Sequence, residues 1–314
     1  MPAISIIIPT RNRRSALLRA VNSARNAGND VEIVIVDDAS EDGTQEMCAR
    51  LPNIRYLRLH HRLGVVGARN VGIIASSSEY ISFLDDDDVR LPGSLDEEVE
   101  MLEAQPDAGM IYGQALYGDQ DCQPKGGFYP LECPQGDIFW PLMRWNFIPC
   151  ATVVFRRASL LRVGLLEEAA PGIDDWDLWI RIAEFYPVLA VPKPLAIWRT
   201  PTRASGQLSS QIHRMHGLMY RLHKDKWMRL PRATAQKDDL RHNAAHEFAE
   251  CATQQLIWEA AARLKENRWR SCVQVLFTLV RFYPFVAARK AFRASTWSFV
   301  VNGARNWRRA VEQP

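Results

Sequence analysis

Four consecutive aspartates, Asp85-Asp86-Asp87-Asp88, follow directly on the apolar run YISFL. Fixed at the end of a strand, such carboxylates repel one another and favour a counter-cation. A hard dication, Mg2+ or Mn2+, held by one or two of them with diphosphate oxygens completing its shell, relieves that repulsion. The plainer alternative is an acidic turn ahead of a helix, favoured by the helix dipole. About ninety residues further on, Asp174-Asp175-Trp176-Asp177-Leu178-Trp179 opens a helical pattern. A carboxylate there has the chemistry of a general base toward a hydroxyl, although acids suit any first helical turn. Asp37-Asp38 end the apolar run VEIVIV, where a carboxylate either accepts from a nucleoside hydroxyl or base N–H, or simply forms a turn. Arg69, in Gly64-x-x-Gly67-Ala68-Arg69-Asn70, can meet a phosphate or a structural carboxylate.

The elements that must position these residues alternate. Ile-Ser-Ile-Ile-Ile at 4–8 is continuous and apolar, as in a strand buried on both faces, and it ends in the polar turn Pro9-Thr10-Arg11-Asn12-Arg13. A helical pattern through Leu17, Leu18, Val21 and Ala24 stops at Gly28-Asn29-Asp30. Strands are expected at 31–36, 54–59 and 80–84, with a helix at 64–75. Such alternation implies a doubly wound α/β domain with a mainly parallel sheet, whose ligands bind at the carboxyl ends of the strands. The polar clusters at 9–12, 37–42 and 85–88 all fall at such ends. Further helices are expected at 93–104 and 174–185, with strands at 110–112, 152–155 and 188–198. The Gly- and Pro-rich stretch 113–141 reads as a loop excursion. Helical periodicity dominates from about Ser205 onward, and this sets two domains, 1–204 and 205–314.

Composition narrows the class. The 314 residues, 47% hydrophobic and 24% charged, suffice for one large core and a smaller helical region. The opening MPAISIIIPT lacks a basic n-region and reads as a first strand. The apolar stretch 273–288 is interrupted by Arg281 and Pro284 and is a poor membrane span. Six dispersed cysteines without a CxxC pair point to reduced thiols and a cytoplasmic setting. GxSxG, Walker and GxGxxG motifs are absent, against hydrolase, kinase and dinucleotide-binding readings. Charge is unevenly spread: residues 1–202 hold 19 basic and 28 acidic side chains (net −9), and residues 203–314 hold 20 and 8 (net +12).

Taken in order, IIIPTRNR, IVIVDDASEDGT, GARNVGI, YISFLDDDDVRLP, NFIPCATVVFRR and IDDWDLWIRIAEFYP resemble the family 2 glycosyltransferases over roughly residues 3–200. The resemblance implies a GT-A fold, a Rossmann-like sheet flanked by helices, here with a C-terminal α-helical extension. It further implies a nucleoside-diphosphate sugar donor, UDP-linked, and an inverting displacement onto a glycan or lipid-linked acceptor in surface polysaccharide synthesis. By the same resemblance Pro9, Thr10 and Arg11 line the nucleoside pocket and Asp38 pairs with the base. Asp85 and Asp87 are the outer members of the Asp-x-Asp motif. Asp87 binds the metal, joined by Asp85, and Asp85 or Asp86 faces the ribose and diphosphate. Asp175 occupies the position of the catalytic base.

Three departures from the family pattern stand out. Arg90 replaces a frequent Trp, which implies altered packing beside the metal. Asp174 replaces Glu. The Arg-x-His segment reads Arg199-Thr200-Pro201, leaving Arg199 or Arg203 to neutralise the diphosphate.

Two readings of the helical region stay open. Trp and Phe interleaved with Arg, notably around 292–309, suit an anionic membrane surface and peripheral attachment at its inner face. A helical cap with a solvated basic face fits equally. Nucleic acid is not expected as a partner, since no recognition motif accompanies the charge. The rival functions are a catalytically degenerate binding or assembly subunit and a nucleotidyltransferase. The second lacks a glycine-rich triphosphate loop after the first strand.

Overall fold

The computed structural model describes residues 3–200 and 212–291. They form two compact units, one of residues 3–142 and 146–200, the other of residues 143–145 and 212–291. Arg203 and the aromatic and basic run 292–309 lie outside the described residues.

In the first unit the chain runs β1 (Ile4–Thr10), α1 (Arg14–Asn26), β2 (Val31–Asp37), α2 (Thr44–Cys48), β3 (Arg55–Arg58), α3 (Gly64–Ala75), β4 (Tyr80–Phe83), β5 (Val89–Arg90) and α4 (Ser94–Ala104). It continues with β6 (Met110–Gly118), β7 (Pro124–Tyr129), α5 (Phe139–Arg144, its last two residues assigned to the second unit), β8 (Val154–Arg156), α6 (Ser159–Val163), α7 (Asp174–Phe185) and β9 (Val188–Arg199). One sheet has the order β3-β2-β1-β4-β8-β6-β9-β5, with β7 paired to β6. Every residue of β1 is buried because β1 lies between β2 and β4 and is covered by α1 and α3. That is why its sequence is apolar without alternation. Gly72 on α3 makes this cover close: a Cβ there would sit 2.3 Å from the Ile7 side chain.

The sheet is parallel through β3-β2-β1-β4 and mixed beyond. The mixed part grows from the stretch expected to be a loop: β6 extends to Gly118 and turns back as β7. Gly113 and Gly118 sit at its register shifts and Pro124 opens β7, places where such residues are tolerated. Pro192 and Pro194 likewise lie where the β6–β9 register shifts. The parallel half brings Thr10, Asp37 and the residues after Phe83 to one edge, since Thr10 is opposite Asp37 and Phe83 is opposite Ile7.

The second unit contains α8 (Ile212–Asp225), α9 (Pro231–Thr234), α10 (Asp238–Lys265), α11 (Trp269–Phe282) and α12 (Pro284–Ala291). The α10–α11 hairpin is its main contact, with α8 against α11. Its core includes Phe248, Leu256, Val275 and Tyr283. His223 is stacked on Phe248, ring centroids 4.0 Å apart, and bonds to the Met143 carbonyl at 3.2 Å. Among the described residues no single helix is long and apolar enough to cross a membrane. The pair Trp269–Phe282 and Pro284–Lys290 passes by composition but is bent by 115°.

Candidate active site

Two loops at the carboxyl edge are latched together before they meet the acidic run. Asn12, at φ 52°, donates its backbone N–H to Ser40 Oγ at 3.0 Å and accepts the Glu41 N–H on its side chain at 2.8 Å. Asp37 Oδ1 accepts the Ser40 N–H at 2.8 Å, and its other oxygen accepts the Tyr56 hydroxyl at 2.5 Å. Asparagine tolerates the left-handed backbone that this corner needs. The result fixes Thr10 and Arg13 over the end of β4.

Thr10 donates to Asp86 at 2.7 Å, and Arg13 spans Asp86 and Asp87 at 3.0 and 2.9 Å. Arg199 donates its guanidinium to Asp87 and its backbone N–H to Asp88, the latter at 2.8 Å. Asp85 is half exposed and takes a hydrogen bond from Arg69 at 2.6 Å. The same Arg69 reaches the buried Asp174 at 2.7 Å, at the first turn of α7. Asp175, partly exposed beside it, accepts the N–H of Trp176 at 2.7 Å. Three guanidinium groups therefore face six carboxylates.

Electrostatics follow from that imbalance. Burial pushes the Asp86 carboxyl up to about 7, with Arg13 pulling it down and Asp87 pushing it further up. Asp88 is raised by burial and then by the charges of Asp87 and Asp85, against Arg199. Asp175 is raised to about 7 by burial and by its neighbour Asp174, with Arg69 opposing. Burial alone would lower Arg13, but Asp86 and Asp87 outweigh it and raise the guanidinium.

Oxygens of Asp85, Asp87 and Asp88 lie within 4.8 Å of one another. A trio of hard, negatively charged oxygen donors with surplus negative charge around it fits a divalent cation. Asp86 is turned instead to Thr10 and Arg13. Beside the trio opens a cleft of about 470 Å3, whose lining includes Asn12, Arg13, Arg14, Asp42, Gln120 and Arg199. Its three arginines suit an anionic ligand.

The residues singled out in the sequence distribute as follows. Thr10, Asp86, Asp87 and Arg199 share one hydrogen-bonded network through Arg13, while Arg69 joins Asp85 to Asp174 in a second, with Asp175 next to it; the backbone N–H of Asp88, bonded to the Asp85 carbonyl at 3.0 Å, links the two. Pro9 is buried within β1 opposite Val36. Arg11 is exposed, while Arg13 makes the contacts with the aspartates. Asp38 caps the start of α3, accepting the N–H groups of Leu63 and Gly64 at 2.6 and 3.0 Å. The side chain of Arg90 lies in the core rather than beside the acidic trio: it is fully buried, pairs with Glu98 at 2.5 Å and donates to Ser82 at 2.8 Å. Sequence reasoning missed Arg13, Asp88 and the bridging role of Arg69. Asp88 carried the same signal as its neighbours. Nothing in the pattern favoured Arg13 over Arg11, because the turn at Asn12 decides which one faces inward.

A parallel half-sheet joined to a mixed half, with an acidic turn at the carboxyl edge of the fourth strand, defines a GT-A type of α/β fold. It is shared with the mannosyltransferase PcManGT from Pyrobaculum calidifontis, solved in complex with GDP-Man and Mn2+: TM-score 0.58 and 18% identity over 97% of this chain and 80% of that one. Residues 5–159 match the model of Glycosyl transferase family 2, and the chain belongs to that family. Among curated relatives, a Campylobacter jejuni GalNAc(5)-diNAcBac-PP-undecaprenol beta-1,3-glucosyltransferase is 35% identical over 37% of this chain and 39% of its own length. The Escherichia coli UDP-Glc:alpha-D-GlcNAc-diphosphoundecaprenol beta-1,3-glucosyltransferase WfaP is 27% identical over 58% of this chain and 70% of its own length. The chain spans about a third of the length of other relatives, from Rickettsia felis and Rickettsia conorii.

Proposed function

We propose that this chain transfers a sugar, with inversion, from a nucleoside-diphosphate donor to a hydroxyl of a lipid-linked glycan in surface polysaccharide synthesis. UDP is the favoured nucleotide, since WfaP is named for a UDP-linked donor. The lipid-linked acceptor rests on the two undecaprenol-directed relatives. The observation that carries the reading is the Arg69 bridge, which ties Asp85 of the acidic trio to the α7 turn bearing Asp175. Donor and acceptor chemistry are thereby held at one edge.

In this reading Asp175 accepts the acceptor hydroxyl proton as that oxygen attacks the anomeric carbon. The bond from that carbon to the diphosphate oxygen breaks, and its electron pair leaves with the nucleoside diphosphate. Asp85, Asp87 and Asp88 would hold Mg2+ or Mn2+, which would supply positive charge against the diphosphate leaving group. Arg13 and Arg199 line the cleft where the same charge is met by guanidinium groups. Thr10 and Asp38 border the nucleoside side. The helical region following residue 204 serves the acceptor or the membrane surface. Held alignment of base, acceptor and donor contributes through orientation.

The test is transfer from UDP-sugars to an undecaprenyl-diphosphate-linked acceptor, with Mn2+, with Mg2+ and with chelator. Metal-dependent transfer that falls by about a thousandfold in Asp175→Asn is expected. Full transfer by that variant would remove Asp175 from its role.

A further inference from the structure

The second unit leaves one helix face without a protein partner among the described residues. Trp269, Val273, Leu276, Phe277 and Val280 recur along α11 at spacings of four, three, one and three residues, which place them on one arc of the helix. Each is 42–64% exposed. The opposite arc, Cys272, Val275, Thr278 and Leu279, is buried, so α11 is already anchored in its own unit and the apolar arc is surplus to it. Phe285, at the start of α12, is 89% exposed. Large apolar side chains exposed contiguously mark an interaction site.

The charges beside this arc select the partner. Arg270 and Arg281 fall next to it on the same side, both exposed, and Arg270 stacks its guanidinium 5.2 Å from the centre of the Trp269 ring. No carboxylate occurs anywhere in α11 or α12, whereas Arg289 and Lys290 are engaged by Glu250 of α10. A second copy meeting the same face about a two-fold axis would bring the two Arg rims together with no acid on these helices to offset them. An anionic lipid surface meets both features at once: acyl chains cover the arc and headgroups meet the arginines.

We infer that the exposed arc of α11, with Phe285 and the Arg270/Arg281 edge, is an interfacial anchor for anionic bilayers. The inference deepens the lipid-linked acceptor reading by naming the surface that brings the chain to it, but its test is independent of sugar transfer.

The experiment is flotation of the full chain with vesicles of phosphatidylcholine alone, and with equal parts phosphatidylcholine and phosphatidylglycerol. Binding only to the anionic vesicles, weakened by salt, is expected. Phe277→Asp with Val280→Asp should lower the partition coefficient by about tenfold or more, with the thermal transition retained. Phe277→Leu should bind as the parent does. Arg270→Gln with Arg281→Gln leaves the apolar arc intact and should lose the preference for anionic lipid, which keeps the test decisive should the double aspartate variant misfold. Equal flotation of the parent and both double variants overturns the inference. So does a parent that ignores anionic vesicles, or a parent dimer that Phe277→Asp with Val280→Asp dissociates. Hydrolysis of the UDP-sugar donor in solution, followed in the same variants, should be unchanged; its absence in the parent would count against the transfer reading, not against the anchor.

Discussion

The guanidinium of Arg69 and the carboxylate of Asp174 meet at 2.7 Å, both almost wholly withdrawn from water. The other arm of Arg69 reaches Asp85, so one cation fixes the distance between α7 and the acidic turn after β4. Burial would by itself lower the Arg69 guanidinium, but the groups around it, Cys150, Asp85 and Asp174 among them, raise it well above its ordinary range.

Removing that cation should hurt stability as well as activity. Arg69→Met leaves Asp174 buried without its main partner, a loss of about 3–5 kcal/mol by analogy with broken buried pairs. Urea denaturation of Arg69→Met and of Arg69→Met with Asp174→Asn measures it. The second substitution should recover a substantial part of the stability while transfer stays low.

The pH profile of transfer should carry the signature of Asp175. Its carboxyl is pushed up to about 7, and only the ionised form can take a proton. Log kcat/KM should therefore climb by about one per pH unit below that value and level off above it. In Asp175→Asn the residual rate should lose this limb.

Arg90 offers a prediction on the core alone. Glu98 is fully buried; burial drives its carboxyl up to about 7 while Arg90 draws it down. Arg90→Met should cost about 3–5 kcal/mol by stranding Glu98, and Arg90→Met with Glu98→Leu should restore much of it. The Mn2+ concentration for half-maximal transfer should be the same in the stable double variant as in the parent.

Acid should weaken the helical unit through His223. Its ring is lowered to about 4 by burial, against the Met143 carbonyl, which raises it. The neutral ring is thus kept in the fold while the unfolded chain gains a proton below about 6.5. Stability is complete above that pH and is lost progressively as pH falls toward 4, on the order of 3 kcal/mol in all. Thermal melts of the parent between those limits should show the decline, and His223→Phe should flatten it.

Much of this architecture is legible in the residues themselves. β1 and β2 announce themselves as buried strands, α3 begins and ends where its glycines and apolar pattern place it, and the acidic run is visible as a cluster at the end of a strand. The hairpin of β6 and β7 is not legible, because its Gly and Pro residues mask a pairing made on a strand that is held on its other side by β9. Side-chain direction is equally hidden. Arg11 and Arg13 differ by a single backbone turn, and nothing in the sequence shows that both oxygens of Asp38 accept N–H groups at the start of α3.

The most direct test is titration calorimetry of UDP binding with and without Mn2+, in the parent and in Asp87→Ala. Mn2+ should tighten UDP by tenfold or more in the parent, on the order of 1.4 kcal/mol, and do little in the variant. UDP binding that is equally tight in chelator, and indifferent to Asp87→Ala, would contradict it.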